Sequence, residues 1–255
     1  MYLSKFSPSS PYQAEFQAAM EMVISFLQSE LGEQIHSLYL YGSVARGCAK
    51  PGRSNLDMVM VLNRSLGTKQ STLLNTLRWH LQRRHPQVNG LSLKIAQLDQ
   101  VASLEGVLNW GFLLRHCSTC VYGEDLAECF GDYQPSWEIA KFWNMDLEQW
   151  LVHHRRKMAE ANDPASLLNT QYQVAKKLLR AAYSLVMHKD QQWFDEPLDC
   201  ARAFLSYHPE QEVMIKRLIL LYLQKPVAKR SSIAIIDQFG QWLGKQYQKT
   251  EFRIG

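Results

Sequence analysis

Leu40-Tyr-Gly-Ser-Val-Ala-Arg-Gly47, then Cys48-Ala-Lys-Pro-Gly-Arg53, then Ser54-Asn-Leu-Asp-Met-Val-Met-Val-Leu62 is the stretch that decides the fold. An apolar strand runs into a Gly-Ser turn, a short basic loop follows, and a second strand opens with a carboxylate. Gly42 can take positive φ and lets an anion approach the backbone. Ser43 adds a hydroxyl donor. A helix or turn starting at Val44 would point its first N–H groups at a phosphate. Arg46 and Lys50 bring compensating charge, and the planar guanidinium of Arg46 suits bidentate phosphate contact.

The second strand alternates. Leu56, Met58, Met60 and Leu62 face one way, while Asn55, Asp57, Val59 and Val61 face the other. Asn55 and Asp57 therefore share a face. The strand predicted at Leu91–Leu98 repeats this logic, with Leu91, Leu93 and Ile95 toward the core and Ser92, Lys94 and Ala96 toward the site.

Around this centre the chain alternates helix and strand. Apolar periodicity predicts a helix over residues 12–32, a strand over His36–Leu40, and a helix over 68–85 ended by His85-Pro86. A further helix is expected over 100–116, then a short strand and turn over Val121–Leu126. From Asp132-Tyr133-Gln134-Pro135 onward no strand pattern is found. Helices are expected over 136–161, 165–188, 196–207, 210–224 and 231–248, punctuated by Pro197, Pro209 and Pro226. The reading is α+β: residues 1–130 form a mixed sheet with helices on one face, and residues 131–255 form an all-helical bundle.

Composition bounds the function. The chain is 46% apolar and 20% charged, as a soluble globular protein is. A net charge of +4 suits an anionic ligand but lacks the basic weight of a nucleic-acid binder, so nucleic acid is not expected as a partner. Met-Tyr-Leu-Ser-Lys-Phe-Ser-Pro at the start carries no apolar h-region, and no run is long enough to span a bilayer. A cytoplasmic protein with no membrane partner is expected. The five cysteines are odd in number and scattered, which fits reduced thiols, and Cys117-Ser-Thr-Cys120 lacks the further ligands of a zinc site.

Gly42, Ser43, Ala45, Gly47, Ser54 and Asp57 resemble the Gly-Ser-x-Ala-x-Gly…Ser-Asp-x-Asp pattern of the nucleotidyltransferase superfamily, of polymerase-beta-like fold. The whole-chain plan is similar to the streptomycin/spectinomycin adenylyltransferases, through Lys50-Pro51, the Tyr122-Gly123 turn and the helical second half. The resemblance implies that Gly42 and Ser43 hold a nucleoside triphosphate, ATP or another NTP, and Arg46 and Ser54 are read with them as nucleotide-binding residues. Asp57 would bind metal, with Asn55 and Asp57 at the catalytic positions. It also implies transfer of a nucleoside monophosphate, such as AMP, to a hydroxyl on an unidentified small-molecule or protein acceptor.

Two departures stand out. Asn55 replaces the first metal carboxylate. The strand that should supply the third offers only Ser92 and Lys94. Lys94 is read instead as a nucleotide-binding residue, and Mg²⁺ binding as weakened. Asp99 and Glu105 are the nearest other acids. The alternative reading is a catalytically inactive relative that binds nucleotide or protein without turnover.

Three further patterns carry weaker expectations. Arg202 and His208 have the spacing of a HEPN-like RNA-cleaving helix, or simply mark a helix end. His153-His154-Arg155-Arg156-Lys157 reads as a solvated helix face. Trp137, Phe142, Trp143 and Trp150 read as packing aromatics. The neutral Leu167–Tyr172 segment argues against a polycationic aminoglycoside, which needs carboxylate partners.

Overall fold

A computed structural model describes residues 2–8, 12–67 and 70–251. The chain divides into two compact units, Ser4–Tyr133 and Gln134–Gly255, the latter counted with Met1–Leu3.

The first unit runs α1 (Ala14–Leu31), β1 (Ile35–Tyr41), α2 (Gly42–Ala45), β2 (Leu56–Leu62), α3 (Gln70–Arg84) and β3 (Leu91–Gln97). Short helices α4 (Leu98–Val101), α5 (Leu104–Gly106) and α6 (Phe112–His116) then lead into β4 (Ser118–Gly123). The expected start of α3 at residues 68 and 69 lies outside the described residues. The sheet is mixed, in the order β3-β2-β1-β4. β1 pairs antiparallel with β2 and β4, whereas β2 and β3 are parallel, joined by the α3 crossover that a parallel pair requires.

One face of this sheet is the main core. Leu38, Leu40, Leu56, Met58, Met60 and Leu62 pack under Phe16, Val23 and Leu27 of α1 and Leu77 and Leu81 of α3. Each such side chain contributes about 1.5–3 kcal/mol on burial. The other face is closed over part of its length. Tyr39, Val59, Val61 and Ala96 are buried, with α4 against β2 and β3 and α6 against β4. Tyr41, Asp57 and Ser92 are left half-buried, and Lys94 is exposed.

The helix expected over 100–116 is broken, and side-chain hydrogen bonds explain the breaks. Ser103 Oγ accepts from the Gly106 N–H at 3.0 Å and starts a new helix there. Tyr133 Oη donates to the Val107 carbonyl at 2.6 Å, at the head of a π-turn over Val107–Gly111.

The second unit contains α7 (Trp137–Asn144), α8 (Leu147–Glu160), α9 (Pro164–Ser184), α10 (Met187–Asp190), α11 (Pro197–Tyr207), α12 (Glu212–Tyr222), α13 (Lys229–Ile235) and α14 (Gln241–Glu251). It holds no strand among the described residues. α9 is its axis, packed by α8, α11 and α12. Asp163 caps it by accepting from the Ser166 N–H at 2.7 Å, and Pro164 occupies its first turn. The helix expected over 136–161 divides at Met145. Asn144 Nδ2 donates to its own helix at the Ala140 carbonyl, and Lys177 Nζ takes the Trp143 carbonyl and Asp146 Oδ1. Those carbonyls are satisfied outside the helical ladder, so the chain can turn there. The span 231–248 is interrupted by a π-turn over Ile236–Gly240.

Candidate functional site

The site is a row across the sheet. Strand register sets Ser118, Tyr41, Asp57 and Ser92 side by side on β4, β1, β2 and β3. The next matching pair, Val59 and Lys94, lies one pleat further along the parallel strands. Asp57, Ser92 and Lys94 therefore share a face, as alternation predicts.

Asp57 fits against Gly42. The glycine has φ +77°, and a methyl group there would run into the Asp57 carboxylate oxygen Oδ2. The missing side chain at Gly42 is used first by the protein's own carboxylate. α2 starts at Gly42 and ends with Arg46 at its C-cap, and Ser43 is half-buried beside them. Gln13 fixes the loop that follows. Its amide Nε2 donates to the Ala49 carbonyl at 3.0 Å, and its Oε1 accepts from the Ala49 N–H at 2.9 Å.

Ser54 closes the basic loop. Its Oγ accepts from the Lys50 N–H at 2.8 Å, and its own N–H donates to the Lys50 carbonyl at 2.9 Å. Asn55 is held from the β3 side, where its Oδ1 accepts from Asn89 Nδ2 at 2.9 Å. The oxygen that would stand in for a carboxylate is thus already engaged. Asp99 sits in α4, past the end of β3 remote from Asp57, with its Oδ1 accepting from the Gln100 N–H. Glu105 is exposed in α5.

Tyr41 belongs to the site although neither motif nor charge marked it. Its Oη lies 3.5 Å from Ser92 Oγ, and Lys94 Nζ lies 5.8 Å from its ring centre. The ring thus reaches from β1 across β2 to β3. Burial, and secondarily the Asp57 charge, push the phenol pKa well above its ordinary value, so Tyr41 stays neutral. Alternation on β1 could have found it: Leu38 and Leu40 face the core, so Tyr39 and Tyr41 face the other way. Asn89 carries no comparable signal, because it lies in a loop without periodicity.

The resemblance implies a pair of divalent cations. Such a pair needs several hard oxygen ligands of net negative charge. The row, with Lys94 beyond it, supplies one carboxylate, a neutral phenol, two hydroxyls and an ammonium. Among the described residues no three Asp, Glu, His or Cys side chains converge at any point. Because Lys94 brings positive charge where a ligand is required, this donor set does not fit a two-metal cluster.

Spectinomycin adenyltransferase AAD(9) from Enterococcus faecialis, solved with ATP and spectinomycin, matches this structure with a TM-score of 0.58. The match covers 91% of this chain and 99% of that one, at 16% identity. This is a nucleotidyltransferase fold. No protein-family model matches the chain, and no curated protein sequence does.

In the second unit the sequence patterns resolve into local packing. Arg202 pairs with Asp199 at 3.0 Å, whereas His208 stacks on Phe204 and bonds Glu210, so each has its own partner. Within the basic run, Arg155 forks onto Asp237, Arg156 pairs with Glu160, and His154 stacks on Trp150. Trp137 is buried and stacked on Tyr247, and Trp143 meets Trp193 edge-on. No helix among the described residues is long and apolar enough to cross a membrane.

Proposed function

We propose that the first unit binds a nucleoside triphosphate, with ATP the candidate, and does not transfer its nucleotidyl group. The observation that carries this is the row itself: one carboxylate, Asp57, set against Gly42, with Ser92 and Lys94 where further carboxylates would be needed. Gly42 and Ser43 supply the turn for the phosphates, and Arg46 and Lys94 supply the positive charge. Ser54 shapes the loop between them. The neighbour of known structure was solved with ATP, which supports adenine nucleotide as the first ligand to try. All five cysteines are free thiols, which fits a reducing cytoplasm.

Transfer needs a base for the attacking hydroxyl and a charge clamp on the leaving pyrophosphate. Here the phenol of Tyr41 is held protonated, and the Asn55 oxygen is engaged by Asn89. The second reading, AMP transfer to a hydroxyl, draws on the retained Gly42–Asp57 fit.

Calorimetric titration of ATP, with a pyrophosphate-release assay in Mg²⁺ over a panel of hydroxyl acceptors, separates the two. The expected outcome is saturable binding, with pyrophosphate no higher than in Asp57→Ala. Release by the wild type that Asp57→Ala abolishes would establish the transfer reading instead.

A further inference from the structure

We infer that this site takes its triphosphate without a divalent cation, Lys94 supplying at the phosphates the positive charge that a metal pair would bring. The inference rests on the nucleotide-binding reading above and states how that site works.

Three observations support it. The first is the donor set, which offers a hard cation one carboxylate. The second is the placement of Lys94. It lies on edge strand β3, on the same face as Asp57, one pleat beyond Ser92. Its ammonium is held 5.8 Å from the Tyr41 ring centre, over the row. An aromatic face within about 6 Å is a favourable seat for a cation, and Lys94 can keep this seat while donating its N–H groups to phosphate oxygens.

The third observation is the distribution of charge. Between Glu33 and Asp99 the only acid is Asp57, against nine lysines and arginines. The segment that builds β1, β2, α3 and β3 thus carries a surplus of eight positive charges, twice the +4 of the whole chain. Lys50 and Arg53 sit exposed in one loop, and the Gly52 N–H of that loop donates to the Gln87 carbonyl at 2.6 Å. That bond brings the loop to the segment just after the exposed Arg83 and Arg84 of α3. The part of this surplus that belongs to the turn, loop and strand of the site, Arg46, Lys50, Arg53 and Lys94, draws in anions and opposes divalent cations. Free ATP carries about two more negative charges than its Mg²⁺ complex, so this site favours the free form.

Asp57 then has a distinctive role. In a metal site it is the anchor, and removing its charge abolishes nucleotide binding. In a metal-free site it is the negative charge of the row that faces the phosphates, and removing it helps.

The test titrates ATP into the full chain by calorimetry, once in EDTA and once in excess Mg²⁺, with inorganic tripolyphosphate as a second probe in EDTA. The expected result is binding in EDTA at least as tight as in Mg²⁺. Lys94→Ala weakens it about tenfold or more, and Lys94→Arg keeps most of it. Asp57→Asn binds ATP in EDTA more tightly than the wild type. Lys94 is exposed, so its variants are expected to fold, and thermal melts verify this. Binding that requires Mg²⁺, is lost in Asp57→Asn, or is indifferent to Lys94→Ala overturns the inference and leaves nucleotide binding standing. No binding of ATP in either buffer overturns the nucleotide reading itself.

Discussion

Gly42 and Asp57 are bound to each other's geometry. The glycine holds φ +77°, and its Cα face is covered by the Asp57 carboxylate. Gly42→Ala therefore pays twice, for left-handed backbone and for displacing a half-buried acid. The expected loss is about 3 kcal/mol by chemical denaturation, with the change in Gly123→Ala as a comparison. Gly123 has φ +81° and meets the His36 carbonyl instead, so its variant is expected to lose stability without altering ATP affinity, whereas Gly42→Ala loses both. At this scale much was legible. Alternation placed Asp57, Ser92 and Lys94 on one face, and the register bears it out. Alternation on β1 carried the signal for Tyr41 as well, but Asn89 was not legible, because a loop amide that ties down Asn55 leaves no period in the sequence.

At the scale of elements, the strands were readable because β1 and β2 bury continuous or alternating apolar residues. Helix lengths were less so. Apolar periodicity continues through residues 100–116, yet the helix widens into a π-turn whose Val107 carbonyl accepts from both the Phe112 N–H and Tyr133 Oη. A hydrogen bond from a residue far along the chain is invisible to a local pattern. The end of α6 shows the same kind of long-range tie. His116 is buried. Its Nδ1 donates to the Ser4 carbonyl at 2.7 Å, and its Nε2 accepts from the Tyr133 N–H at 3.1 Å. Acceptance at Nε2 requires neutral imidazole, and burial lowers the His116 pKa below its ordinary 6.5 although the Ser4 bond works the other way. The unfolded chain therefore takes up a proton first as pH falls. The stabilisation is complete above about pH 6.5 and is lost as pH falls from there toward the lowered folded value. His116→Gln, whose amide can both donate and accept, is expected to flatten this part of the stability–pH curve. Denaturant melts at pH 7.5 and pH 5.5 measure it, and an unchanged slope would show that His116 does not carry the effect.

At the scale of the whole molecule, the chain separates charge by region. The sheet-building segment from Glu33 to Asp99 is strongly basic, and the remainder balances it to +4. Net charge alone concealed this, which is why a mild overall value suggested no concentrated field. The two-unit plan, mixed sheet then helices, follows from the loss of strand patterning after Pro135, and the fold likeness extends over 91% of the chain. The chemistry did not follow from the fold. The sheet of this fold carries one carboxylate, Asp57, on the face it shares with Lys94, and the proposed function rests on those two residues. The central claim is that nucleotide is held on the Gly42–Asp57–Lys94 face. Amide hydrogen exchange of the full chain, with and without saturating ATP in EDTA, tests it most directly. Slowed exchange concentrated over Gly42–Gly47 and along β3, with α11 and α12 unchanged, is the predicted result, and ATP protection confined to other segments, or none at all, would contradict it.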